Sequence, residues 1–152
     1  MDFTDFVCFN LKSINKRVEK HMALFFDSFG ISVSQAFILF CLLDHDGSIL
    51  SEIGARAQIE ASSLTAMTDK LDRMGLVERT LDPHNRRIVR LYITPKGRET
   101  AEIIKQRGEK FDQYLRGNLG QDLDKLFDCL ASINSSIDKL SQSTDGHGNI
   151  QL

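Results

Sequence analysis

Residues 61–98, ASSLTAMTDKLDRMGLVERTLDPHNRRIVRLYITPKGR, constrain the fold more than any other stretch, because a helical period gives way to strands with no spare residues between them. Leu64, Met67, Leu71 and Met74 recur at spacings of three and four, which makes one apolar stripe on a helix. Gly75 follows as the residue that ends it. Val77 to Leu81 and Ile88 to Ile93 then carry the β-branched and large apolar residues of strands. Between them, Asp82-Pro83-His84-Asn85-Arg86-Arg87 is rich in turn formers and ends on two adjacent arginines. The expected unit is a short helix followed by a hairpin with a basic tip.

Ser62, Ser63, Ala66, Lys70 and Arg73 lie off the apolar stripe, with Thr65 at its side. Ser62 is the expected N-cap. Small side chains at a helix N-terminus let its backbone approach base edges in a major groove, and the free N–H groups there favour phosphate. Arg86 and Arg87 at a hairpin tip suit the DNA backbone or minor groove, and His84 sits beside them. An isolated amphipathic helix is usually an ordinary surface helix, and an isolated charged loop is usually only solvated. Their succession in this order favours duplex DNA.

The net charge of −2 conceals an uneven distribution. Residues 62–98 contain Lys70, Arg73, Arg79, Arg86, Arg87, Arg90, Lys96 and Arg98 against Asp69, Asp72, Glu78 and Asp82, a local excess of +4. A local basic face is what phosphate contact requires.

The same block resembles the MarR (multiple antibiotic resistance regulator) family. The matching residues are Leu71…Gly75-Leu76-Val77…Arg79, then Asp82-Pro83…Arg86-Arg87, then Thr94…Gly97, without gaps. Asn85 replaces the loop's second Asp, and Ala66 stands where Arg is frequent. The resemblance implies a mainly α fold with a small β-hairpin wing: a winged helix-turn-helix lobe flanked by N- and C-terminal dimerisation helices. It also implies a homodimeric, sequence-specific DNA-binding transcriptional regulator, a repressor released by a small-molecule effector and not an enzyme. DNA contacts are expected from Ser62, Ser63, Thr65, Ala66, Lys70, Arg73, Arg86 and Arg87. The partner is double-stranded DNA with a near-palindromic operator.

The flanks read as helices. Residues from about 3 to 28 carry Phe6, Val7, Leu11, Ile14, Val18, Met22, Phe25 and Phe26 at helical spacing, and Gly30 ends the run. Ser32…Gln35 forms a capping-box pattern before AFILFCLLDHD, the expected buried centre. Gly47 and Ser48 break the chain, and Ser51 to Ala57 makes a short helix that stacks on the recognition helix. Thr94-Pro95 restarts a helix that runs to about Arg116, punctuated by Gly117-Asn118 and Gly120. Leu119, Leu123, Leu126, Phe127, Leu130, Ile133, Ile137 and Leu140 then form a long stripe. The expected organisation is an N-terminal dimerisation helix over 1–30, a DNA-binding lobe over 31–97, C-terminal dimerisation helices over 98–141 and a flexible tail over 142–152.

Little points to chemistry. The four histidines lack ligand spacing, so neither metal nor cofactor is expected. The three cysteines are scattered without a CxxC pair, the N-terminus MDFTDF carries acids where a signal peptide carries lysines, and no run is long enough for a membrane span. A cytoplasmic location is expected. Family members bind aromatic effectors between lobe and dimerisation helices; His21, Phe25, Phe26 and Phe37 are the candidates here, and Phe25, Phe26, Phe29 and Phe37 serve equally well as core. Cys8 resembles the reactive cysteine of the peroxide-sensing branch, but Met22 and Val33 stand where that branch has tyrosines. The apolar run Phe6-Val7-Cys8-Phe9 leads us to expect a cysteine that packs as a small hydrophobe in the dimer core, with an inert thiol. Two alternatives remain at this point: a thiol-based sensor using Cys8, and a winged-helix protein-interaction module that does not bind DNA.

Overall fold

The computed structural model describes residues 2–142. The expected tail therefore lies almost wholly outside the described residues, as does His147. The chain divides into two compact units, Met1–Glu109 and Lys110–Leu152.

In the first unit, a short 3-10 turn at Phe3–Asp5 precedes α1 (Val7–Phe26). A second 3-10 turn, Asp27–Phe29, closes on Gly30, and α2 (Val33–Asp44) follows. The capping box that opens α2 is present: Gln35 N donates to Ser32 Oγ at 3.3 Å, and Ser32 N donates to Gln35 Oε1 at 3.0 Å. Ile38, Leu39 and Leu42 of this helix are fully buried and centre the core. β1 (Ser48–Ile49), α3 (Leu50–Ala57), α4 (Ala61–Arg73), β2 (Val77–Leu81), β3 (Val89–Ile93) and α5 (Pro95–Leu119) complete the order.

The strands form an antiparallel sheet in the order β1-β3-β2, with Arg79 opposite Leu91 and Ser48 also opposite Leu91. The hairpin was expected; β1 was not, because two residues carry no readable period. A second correction concerns α4. Its N-cap is Glu60, with no side-chain cap, so Ser62 is the second helical residue and not the cap. The reason lies upstream: Gln58 takes a left-handed conformation (φ 53°) and Ile59 N bonds to Gly54 O at 2.9 Å, turning the chain early enough for the helix to start at Ala61.

The end of α4 matches expectation. Gly75 has φ 69°, its N–H reaches Asp72 O at 2.8 Å, and Leu76 N reaches Leu71 O at 3.0 Å. These are the two bonds of a Schellman stop. Thr94 then ties α5 to that stop. Its hydroxyl donates to Gly75 O at 2.7 Å and accepts from Gly97 N at 3.0 Å. A Cβ at Gly97 would stand 1.9 Å from the Leu76 carbonyl oxygen, so the Thr-x-x-Gly spacing records a close backbone approach.

In the second unit, the end of α5 leads through a 3-10 turn at Gly120–Asp122 into α6 (Leu123–Gln142). Gly117 and Asn118 do not interrupt α5 as expected; Asn118 Nδ2 donates to Tyr114 O at 2.7 Å and keeps to the helix. Leu126, Phe127, Leu130 and Ile137 of the expected stripe are exposed in the single chain. The Arg116 guanidinium lies 5.6 Å from the Phe127 ring centroid.

Candidate nucleic-acid interface

The α3–turn–α4 pair presents one face of α4 outward. Leu64, Thr68 and Leu71 are buried, while Ser62, Ser63, Thr65, Ala66, Lys70 and Arg73 are all exposed. The sequence separated these faces correctly except at Thr68. That residue lies four after Leu64 and three before Leu71, on the apolar stripe, but its hydroxyl disguised it. Thr68 Oγ1 donates to Thr65 O at 2.9 Å and accepts from Arg79 at 2.6 Å, which satisfies it in place.

The wing tip is built by two side chains. Asp82 is 5% exposed despite sitting in a loop. Its Oδ1 accepts from His84 N at 2.8 Å and Asn85 N at 3.0 Å, and its Oδ2 accepts from Arg90 Nε at 2.6 Å. Arg90 continues to Gly47 O at 2.8 Å, so one arginine fastens the loop to the chain entering β1. Ile88 N bonds to Asn85 O at 2.9 Å, closing a turn with Arg86 and Arg87 at its two central positions. Asn85 Oδ1 accepts from Arg87 N at 3.1 Å, a role for which its amide serves as well as a carboxylate.

This arrangement sorts the basic residues. Arg79 pairs with Asp69 at 2.6 Å, Arg90 with Asp82, and Arg98 with Asp46 at 3.5 Å, while Lys96 Nζ donates to Met74 O at 2.9 Å. Lys70, Arg73, Arg86 and Arg87 are exposed, and no ion pair engages them among the described residues. Among the described residues of the lobe, the uncommitted cations therefore fall in two places, the outer face of α4 and the wing tip. Asp82 was legible as a turn former, but the role of Arg90 escaped the sequence reading because it depends on Gly47, 43 residues away.

The Arg90 bond holds the Asp82 carboxyl below the ordinary aspartate range; the His84 and Asn85 amides add to this and burial opposes it. The same bond pushes Arg90 up. A depressed acid contributes stability that is complete above its unfolded value, about pH 4, and fades as pH falls through the lowered folded value. The Asp82 side-chain carboxyl resonance is thus expected to titrate below the midpoint of an aspartate in the unfolded chain. A midpoint at or above the unfolded value would show that the clasp does not hold the wing.

The residues considered for an effector do not converge on one described cavity. Phe26 is 1% exposed and is core. His21 and Phe25 stand edge to face at 5.0 Å. Phe37 contacts Phe40, with centroids 6.1 Å apart, and borders a cavity of about 350 Å³ with Cys41, Asp44 and Arg56, which His21, Phe25 and Phe26 do not border. In the single chain, Cys8 lies on the apolar surface expected to pack in a dimer. It is exposed, as are Phe6, Val7 and Phe9 around it, because the first turns of α1 lie off the core of their unit. The buried thiol is Cys41, pushed up by burial.

A helix-turn-helix with an outward polar face, joined to a hairpin whose tip holds two free arginines, defines a winged helix-turn-helix lobe. Residues 31–89 match the MarR family model. The matched span, residues 31–89, is a MarR-type domain. The chain is similar to the HTH-type transcriptional repressor MdtR of Bacillus subtilis (strain 168), at 28% identity over 107 residues, 70% of this chain and 69% of that protein. It is also similar to the transcriptional repressor CouR bound to a 23-mer DNA duplex, with TM-score 0.77 and 28% identity over 86% of this chain and 94% of that one. The S. aureus MepR–DNA complex shares the fold, with TM-score 0.82 at 19% identity over 87% of this chain and 98% of that one. No single helix among the described residues is long and apolar enough to cross a membrane.

Proposed function

We propose that this chain is a homodimeric, sequence-specific repressor of transcription in the cytoplasm, released from a near-palindromic operator by a small aromatic effector. The observation that carries the DNA reading is the sorting of cations: those on the outer face of α4 and at the wing tip are free, and the others of the lobe are engaged. In this reading Ser62, Ser63, Thr65 and Ala66 face base edges, Lys70 and Arg73 flank them on phosphate, and Arg86 and Arg87 reach the neighbouring minor groove or backbone. MdtR and CouR are both named as repressors, which supports the same direction of control.

The homodimer rests on uncovered apolar surface. Phe3, Phe6, Val7, Phe9 and Ile14 near the N-terminus, and Leu126, Phe127, Leu130 and Ile137 on α6, are exposed in the single chain. Apolar burial is worth about 25 cal/mol per Å², so covering the exposed part of these side chains favours association, and a second copy offers a matching surface. Two recognition helices roughly 34 Å apart then meet successive major grooves of a palindrome.

The test is a fluorescence-anisotropy titration of the protein on a duplex from the DNA upstream of its own gene, across salt concentrations. Log affinity should fall linearly with log salt, by about 0.9 per phosphate contacted. Absence of duplex affinity at low salt would instead support the protein-interaction reading. A monomer in sedimentation at micromolar concentration would remove the dimer.

Cys8 lies between Val7 and Phe9 on the surface proposed for the dimer, and a second reading makes it a thiol sensor. A sensor also needs donors that hold the thiolate, and Met22 and Val33 provide none. Cys8→Ser is therefore expected to leave DNA binding and effector release unchanged. Release of the wild type by low-micromolar organic hydroperoxide, lost in Cys8→Ser, would make the sensor the better reading.

A further inference from the structure

Arg79 has an environment that neither packing nor DNA contact explains. It lies on β2, opposite Leu91, yet its guanidinium crosses to α4. There it donates to Thr68 Oγ1 at 2.6 Å, pairs with Asp69 Oδ1 at 2.6 Å and approaches Thr65 O at 3.5 Å. All three acceptors lie within one turn of the recognition helix. Its Nε is buried without a partner among the described residues, a cost that stability alone does not justify. Asp69 is an acid on the helix proposed to enter the groove, and its side chain is 40% exposed. Arg73 lies four residues further on, where an acid-first i,i+4 pair forms readily on an exposed helix.

We propose that Arg79 is a positioning residue for DNA binding: by occupying Asp69 it keeps that carboxylate from capturing Arg73 and leaves the Arg73 cation free for phosphate. The inference rests on the DNA-binding reading above. Arg79 touches no nucleic acid in this account. It joins wing strand to recognition helix and masks the one acid whose release removes a DNA-facing cation.

The test is a double-mutant cycle on the full chain, with the salt dependence of duplex binding as readout. Arg79→Met keeps the alkyl stem and removes the charge. It should weaken binding by about tenfold and lower the salt slope by about one phosphate contact, because Asp69 then holds Arg73. Adding Asp69→Asn should restore affinity to within about threefold of wild type and return the slope. A purely structural role or a direct Arg79–phosphate contact predicts no such rescue. A double variant that binds no better than Arg79→Met, or an Arg79→Met that binds like wild type, overturns the proposal. Asp69→Asn alone decides the matter if Arg79→Met fails to fold. With the acid already masked, it should change affinity less than about twofold, whereas a gain of about fivefold or more with a steeper slope overturns the proposal. Wild type on the same duplex separates the two levels. If it does not bind, the DNA reading falls and this proposal with it; if it binds and the cycle fails, this proposal falls alone.

Discussion

A Gly97→Ala variant is expected to be the most destabilised single substitution in the lobe. The added Cβ would lie 1.9 Å from Leu76 O and 2.8 Å from its carbonyl carbon. Neither is a side-chain end that can swing aside. Leu76 O also accepts from Thr94 N at 3.1 Å, so moving it breaks the junction of β2, β3 and α5. Overpacking usually costs about 1–3 kcal/mol, and a clash with backbone belongs at or above the upper end. At about 2–4 °C per kcal/mol for a chain of this size, the midpoint of thermal unfolding should fall by roughly 10 °C. A scan by circular dichroism checks this, and a shift of less than about 3 °C would mean that the contact relaxes freely. Gly108, which has open space around it, is the control expected to accept alanine without loss.

The second large effect belongs to the wing tip. Arg87→Ala is expected to cost about 1–3 kcal/mol of DNA affinity, roughly tenfold to a hundredfold, with the apolar surfaces proposed for dimerisation untouched. Arg86 and Arg87 occupy the centre of the Asn85–Ile88 turn, and the backbone of that turn is held by Asp82 and Asn85. Their side chains contribute nothing visible to the fold, so their loss should leave the melting curve unchanged. A narrow minor groove concentrates negative potential, which is where an arginine on a rigid tip gains most. Anisotropy with Arg87→Ala, and with both arginines replaced, measures the effect. Unchanged affinity in the double variant would show that the wing does not reach DNA.

These two predictions draw on different layers of information. The α4 stripe, the Gly75 stop, the α2 capping box and the two hairpin strands follow from local rules, and each was legible in the sequence. Apolar spacing, cap chemistry and φ preference act within a few residues, so neighbours in the chain suffice to reveal them. The outward face of α4 was readable for the same reason: a helix that buries Leu64 and Leu71 must expose Ser63 and Ala66. The free arginines of the tip were legible because a turn between two strands has no core to enter.

Tertiary structure decided the rest, through contacts that span the chain. Asp82 and Arg90 became the clasp of the wing because β3 lies beside Gly47, and no local pattern marks that. Arg79 became a clamp on Asp69 because β2 passes the middle of α4; by sequence it was a residue of the family pattern whose partner was not legible. Thr68 was buried because a neighbouring strand supplied a donor for its hydroxyl. Cys8 is exposed in the single chain because the apolar run around it lies off the core of its unit. Sequence by itself determined which side chains can lie on one face and where elements must stop. The tertiary structure alone decided which charges neutralise each other and which remain free, because electrostatic pairing depends on distance in space and not on separation along the chain.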